Sequence, residues 1–232
     1  MPFFYFPLDY YRFDSCTTLM YKEQRNYENL QKRIFEGVGE YGIPQIYPEN
    51  IEKENIDVIS FSSLKASNSR KGKTCHFFID DYRFNRLWTN IDRYIPMLQE
   101  CEYVMTPDFS MYTDFPKAVQ IYNHYRKHWC GAYMQEQGIK VIPTISWSDK
   151  DSFEWCFDGE PTHSTVAISS VGCMKSKEAR QAFLDGYNEM IKRLSPEKII
   201  FYGDIPDECK GNIVHISTFT DERFKEAITD GW

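Results

Sequence analysis

The chain has no CxxC pair. Its seven cysteines, Cys16, Cys75, Cys101, Cys130, Cys156, Cys173 and Cys209, are scattered and odd in number, so neither a disulfide framework nor a zinc knuckle is indicated and a reducing cytosol suits them. It has no basic surplus either. Lys and Arg number 27 against 34 Asp and Glu, and a net charge of −7 argues against a general electrostatic grip on nucleic acid. No apolar run approaches the ~18 residues of a membrane helix. The opening MPFFYFPLDYYRFD lacks the basic n-region of a signal peptide and carries acids early. These absences predict a soluble, cytoplasmic protein with no membrane partner. GxxxxGK[ST] and GxGxxG are both missing, which removes the two familiar phosphate loops, and no internal repeat or low-complexity tract is visible.

What the chain has is five short apolar runs that each end in a polar cluster: CHFFIDD (75–81), YVMTPDFS (103–110), KVIPTISWSD (140–149), STVAISSVGC (164–173) and KIIFYGD (198–204). Continuous runs of Val, Ile, Phe and Met read as strands buried on both faces, and strands joined by helical crossovers lie parallel. The predicted fold class is α/β: a mainly parallel sheet with helical crossovers, either an incomplete TIM-barrel-like wall or an open sheet. With 232 residues, 42% of them hydrophobic, one core of good size can form. The expected organisation is an aromatic N-terminal arm at 1–20 followed by a single α/β domain at 21–232.

The spacing of Tyr27, Leu30 and Ile34 predicts a helix over 22–35, and Pro44 marks YGIPQIY (41–47) as an edge strand. The loop KASNSRKGK (65–73) has no apolar face, so the strands on either side of it are expected to pair antiparallel rather than through a crossover. Phe84, Leu87, Trp88 and Ile91 predict a helix that Pro96 ends or kinks. A long helix is predicted with Asp114 as its cap, Pro116 in its first turn and an apolar stripe through Ala118, Ile121, Tyr122, Tyr125, Trp129, Ala132 and Tyr133. Ser176 is expected to cap a further helix ending at Ser195-Pro196. DIPDECKG (204–211) is too short for a full crossover, so NIVHIST (212–218) is expected to join the sheet by another path.

Parallel strands collect their carboxyl ends on one edge, where such folds bind ligands. Asp80, Asp108 and Asp149 stand there as candidate catalytic groups, with Asp81, Ser110, Ser146, Trp147, Ser170, Gly172, Tyr202 and Asp204 as candidate substrate contacts. Asp80 and Asp81 are adjacent in an extended chain, so at most one faces a pocket while the other can cap the next helix. Two converging carboxylates shift each other's pKa and can act as an acid and base pair or hold a divalent cation; alternatively Asp108 and Asp114 only build a loop and a cap. Trp147 beside acids suits a sugar or a base, whereas Phe153 and Trp155 can simply pack inward. SSVGC outlines an anion-binding turn before a helix, with Cys173 placed where a thiol pKa can fall. His124 and His128 have the spacing of a metal pair but are expected on the solvated face of the long helix with Gln120 and Lys127.

HFFIDDYRFNRLW, TPDFSMYTDFP, QIYNHYRKHWCGAYMQEQGIKVIPTISWSD, FEWCFDGEP and AISSVGC together resemble an uncharacterised family, the domain of unknown function 4417, common in phages, prophages and other mobile elements of Gram-positive bacteria. The resemblance spans about residues 36–219 and implies a mobile-element origin and a setting in the host bacterial cell. It implies no activity, cofactor or catalytic residue. Two functions remain: an enzyme performing acid and base hydrolysis or transfer on a small polar, nucleotide- or sugar-like ligand, or a non-catalytic protein that binds a host protein, nucleic acid or signalling molecule.

Overall fold

Buried β-branched and aromatic residues set the strands of this computed structural model, which describes residues 27–67 and 69–218. The chain divides into two compact units, 1–34 and 35–232. Of the first, residues 28–32 form turns, so the described part of the expected 22–35 helix is not helical, and Glu28 stands at φ 48°; residues 22–26 lie outside the described residues. The aromatic arm at 1–20 lies outside the described residues.

The second unit opens with an antiparallel pair, β1 (Gly37–Val38) and β2 (Ile43–Pro44). Then come β3 (Val58–Ser60), β4 (Thr74–His76), α1 (Asp81–Thr89), a 3₁₀ turn (Ile91–Arg93), α2 (Ile95–Leu98) and β5 (Tyr103–Met105). They are followed by α3 (Lys117–Glu136), β6 (Val141–Ile142), a second 3₁₀ turn (Lys150–Glu154), β7 (Thr165–Ser169), α4 (Lys177–Leu194), β8 (Lys198–Tyr202) and β9 (Ile213–Ile216). Strands β3-β4-β5-β6 make one parallel sheet and β7-β8-β9 another. A single parallel bridge, Thr144 with Ala167, links them. Ile145 N–H donates to Ala167 O at 2.8 Å and Ala167 N–H to Pro143 O at 2.8 Å. Seven parallel strands thus run in chain order along one wall. No ladder joins β9 to β3 among the described residues, so the wall does not close into a barrel.

Alternation along β7 and β8 shows how the wall is covered. Ala167 and Ile200 join the core formed by Ile59, Cys75, Val104 and Val141. Their neighbours Val166, Ile168, Ile199 and Phe201 pack instead with Phe183, Tyr187 and Met190 of α4. Successive strand residues point to opposite faces, so both faces are buried and both read as apolar. Ser176 caps α4, its hydroxyl accepting from Ala179 N–H at 3.1 Å.

Three expectations require correction, whereas the short link to β9 lacks a helical crossover as expected. Strands β3 and β4 are parallel, not antiparallel. Their link begins with Phe61 and Leu64, both buried, and continues through turns in which Leu64 N–H donates to Phe61 O and Ala66 N–H to Ser63 O. The apolar anchor of that crossover precedes the polar loop, where the sequence reading did not look for it. Strand β9 pairs parallel with β8 through residues 203–212, a turn at Pro206 and positive-φ glycines at 203 and 211 replacing a helix. Asp114 does not cap α3; Pro116 occupies the cap position. The polar face of α3 is buried as well, with Gln120, Asn123, His124, Lys127 and His128 all inside.

Candidate functional site

The loops after β4 and β5 bring two acids together. Asp81, the first residue of α1, accepts from the main-chain N–H of Ser110 at 3.2 Å and from its hydroxyl at 2.7 Å. Asp80 points elsewhere: it is exposed and pairs with Arg83 at 3.3 Å. Asn123 of α3 donates to Ser110 O at 2.6 Å, and the Arg126 guanidinium lies 3.8 Å from the centre of the Phe109 ring, so α3 fixes the 108–110 turn from beneath. The Asp108 carboxyl is pushed up to about 7, chiefly by burial; Lys127 opposes the rise and Asp81 adds to it. Asp108 keeps some exposed surface while lying deep among protein atoms.

A ring cluster from β4 and β8 stands at the same edge. Phe78 stacks on Tyr202 with centroids 5.0 Å apart, and His76 lies 5.2 Å from the Tyr202 ring. Burial holds the His76 imidazole down to about 4, so it is neutral at physiological pH, and its Nδ1 accepts from Phe78 N–H at 3.3 Å. From the loop after β7, Cys173 senses Asp108: burial and that acid both push its thiol up. A thiol so placed is not an activated nucleophile, and the sequence offers it no neighbouring histidine.

The remaining sequence candidates are distributed as follows. Ser170 donates to Asp204 O at 2.6 Å, while the Asp204 side chain is exposed. A Cβ at Gly203, where φ is 97°, would come within 2.8 Å of the Ser170 hydroxyl, so a glycine lets the β7 and β8 ends meet. Gly172 is exposed with φ 84°, and Ser146 is half-buried. Trp147 turns away from the strand ends onto α4, 5.4 Å from Phe183 and pressed on Gly186. Asp149 caps the second 3₁₀ turn, accepting from Ser152 N–H at 3.2 Å, and borders a groove with Phe153, Lys177 and Gln181 of the α4 side. Asp81, Asp108 and Ser110 therefore form one group, Tyr202 belongs to the ring cluster, and Trp147 and Asp149 lie against α4.

A second polar group is wholly internal. Lys127 donates to Thr144 O at 2.9 Å and to Glu160 at 2.6 Å; His128 Nε2 lies 2.9 Å from the same Glu160 oxygen. Burial raises the Glu160 carboxyl, but Lys127 and His128 outweigh it and hold the group below its ordinary value. The sequence reading missed Glu160, Lys127 and His76. The available signal was the run NHYRKHW, a helix face rich in His, Lys and Asn yet without any acid, facing a short FDGEP turn that supplies one.

That turn depends on Gly159, whose φ is 76°. A Cβ there would approach Pro44 O to 2.5 Å and His128 Nδ1 to 2.8 Å. Gly159→Ala should therefore destabilise the fold by about 2 kcal/mol, from the left-handed backbone and the clash together, read as a lowered urea midpoint; an unchanged midpoint would show that β2 and the turn can separate freely.

Comparison with known proteins follows this geometry closely in extent. The family model described as "Domain of unknown function (DUF4417)" matches residues 35–220. The chain is 38% identical over 203 residues to the Gene 1 protein of Mycobacterium phage L5, covering 86% of this chain and 89% of that protein. It is 36% identical over 204 residues to the Gene 1 protein of Mycobacterium phage D29, covering 87% and 75%. No solved structure matches. Among the described residues no helix is long and apolar enough to cross a membrane.

Proposed function

This chain belongs to the DUF4417 family, and from that premise we propose that it is an enzyme binding a small polar, nucleotide- or sugar-like substrate at the carboxyl edge of its parallel strands, inside the host bacterial cytoplasm. Phage relatives support a mobile-element setting. The reaction is hydrolysis or group transfer by acid and base catalysis. One observation carries the reading: the Asp108 carboxyl, raised to about 7 with Asp81 nearby at the carboxyl edge of the strands, exchanges its proton near neutral pH. Asp108 gives or takes the proton. Asp81, locked to Ser110, is the fixed partner acid or helps hold a divalent cation. Phe78 and Tyr202 offer flat faces for stacking, and the neutral His76 sits against them. Asp80, exposed and paired with Arg83, and Asp149, which caps the second 3₁₀ turn against α4, take no part in this reading.

The test is a thermal-shift screen of nucleotides, nucleosides and sugars with and without magnesium, followed by product analysis of each hit by mass spectrometry. A ligand selective for the folded state raises Tm. The reading expects at least one hit whose shift disappears in Asp108→Asn and whose turnover, dependent on a group titrating near 7, falls by about 10²-fold or more. A hit that binds and turns over unchanged in Asp108→Asn, or a screen with no hit at all, removes it.

The non-catalytic alternative has its own supporting feature. Tyr82, Tyr112 and Val171, from the segments after β4, β5 and β7, are 74%, 61% and 59% exposed. Exposed apolar side chains at one edge suit contact with a host protein. Substituting all three by serine separates the readings: loss of host-protein capture with ligand shifts retained favours this alternative.

A further inference from the structure

We propose that His124, His128 and Glu160 form a buried binding site for one divalent transition-metal ion of the zinc class, distinct from the Asp81 and Asp108 pair. One potential ligand atom from each residue lies within 4.8 Å of the others. The two histidines are one helical turn apart on α3, with ring centres separated by 4.4 Å.

Hydrogen bonding selects which atoms are available. His124 Nε2 lies 3.0 Å from Asp158 O, and His128 Nδ1 lies 2.8 Å from Pro44 O. A carbonyl only accepts, so those two nitrogens carry the protons, and in a neutral ring the other nitrogen then presents a lone pair. This is the outer-shell arrangement that orients metal-binding imidazoles, each donating its far N–H to a carbonyl. Of the two atoms so oriented, His124 Nδ1 is buried with no hydrogen-bond partner, and so is Glu160 Oε2. His128 Nε2 faces Glu160 Oε1 at 2.9 Å, lone pair toward lone pair unless a proton or a cation intervenes. Ligand atoms about 2.0–2.1 Å from a tetrahedral ion lie about 3.3 Å apart, so this pair would open slightly and the third ligand would draw in to hold an ion.

Charge and ligand type narrow the ion. Two imidazoles and one carboxylate suit zinc or ferrous iron, not calcium or magnesium. A dication beside the Lys127 ammonium needs nearby negative charge, and Glu160, hydrogen-bonded to Lys127 and facing His128, supplies it. The His128 and Glu160 side chains are fully enclosed, so the ion would pin α3, β2 and the 158–160 turn together rather than activate solvent. Lys127 relates the two centres, bonded to Glu160 and opposing the rise of the Asp108 carboxyl.

The experiment uses the full chain, purified from cells grown with added zinc and separately with added iron(II), then desalted. About one ion per chain is expected by plasma mass spectrometry, and a substoichiometric content in His124→Ala. X-ray absorption at the metal edge of the wild type should give nitrogen and oxygen neighbours at about 2.0–2.1 Å and no sulfur shell at about 2.3 Å. A sulfur shell would assign the ion to the free cysteines and overturn the proposal. So would an absence of both metals, or equal loading of folded His124→Ala. Should that variant not fold, the absorption spectrum of the wild type alone decides.

Discussion

Substituting Glu160 by glutamine is expected to cost about 3–5 kcal/mol of unfolding free energy at pH 7, measured by urea titration in the presence of EDTA so that no bound ion contributes. The physical cause is the ammonium left behind. The Lys127 side chain is 2% exposed, and besides Glu160 it donates to the carbonyl of Thr144. Removing the carboxylate hydrogen-bonded to it leaves an enclosed charge held by a neutral acceptor, and desolvation of that charge is no longer fully offset. The effect should be strongly coupled. On a Lys127→Met background, where the orphaned charge is gone, Glu160→Gln should cost less than about half as much. It should also depend on pH with a defined sign. The Glu160 carboxyl is held below its ordinary value of 4.5, so its contribution is fully present above that value and is lost as pH falls through the folded-state value. Wild type and variant should therefore converge in acid. Equal stability of the two proteins at pH 7 would mean that Lys127 finds water or moves, and the enclosed ion pair would lose its assigned role.

The parts of this protein that were legible in its sequence are those governed by one dominant force. The central strands and α4 read correctly because both faces of β7 and β8 are apolar and Phe183, Tyr187 and Met190 repeat at helical spacing. The polar face of α3 read wrongly because periodicity reports hydrophobicity, and burial there is secured by hydrogen bonds instead. Gln120 donates to Tyr112 O and Phe115 O, while Lys127 and His128 reach Glu160 across more than thirty residues of chain. Partners that distant leave no local trace. The same limit applies to the site. That adjacent acids diverge follows from strand geometry, but that Asp81 rather than Asp80 turns inward depends on Ser110, supplied by the next strand's loop. Trp147 stands at a strand end as expected, yet the absence of a side chain at Gly186 draws its ring onto α4, a vacancy visible only when the helix is in place.

Asp108→Asn should make the protein more stable above neutral pH while removing whatever ligand binding the strand edge has. A carboxyl raised from 3.8 to about 7 holds its proton more tightly when folded than when unfolded. The stability tied to that proton is complete below the unfolded value of 3.8 and is lost as pH rises through about 7, so at pH 8 the ionised wild-type group works against folding. The whole shift corresponds to about 4 kcal/mol, and the exposed part of Asp108 reduces the expected gain to about 1–2 kcal/mol. Asparagine keeps the shape and removes the ionisation. The variant should thus exceed the wild type in urea titrations at pH 8, and the difference should shrink steadily to nothing near pH 4. His76 and His124, both depressed by burial, lower stability on acidification in the two proteins alike and cancel in the comparison. The sign separates two accounts of this acid. A carboxylate kept only to build the 108–110 turn would lose stability on substitution at every pH. One held at a cost to the fold, as catalytic groups commonly are, gains stability when neutralised and loses function in the same step.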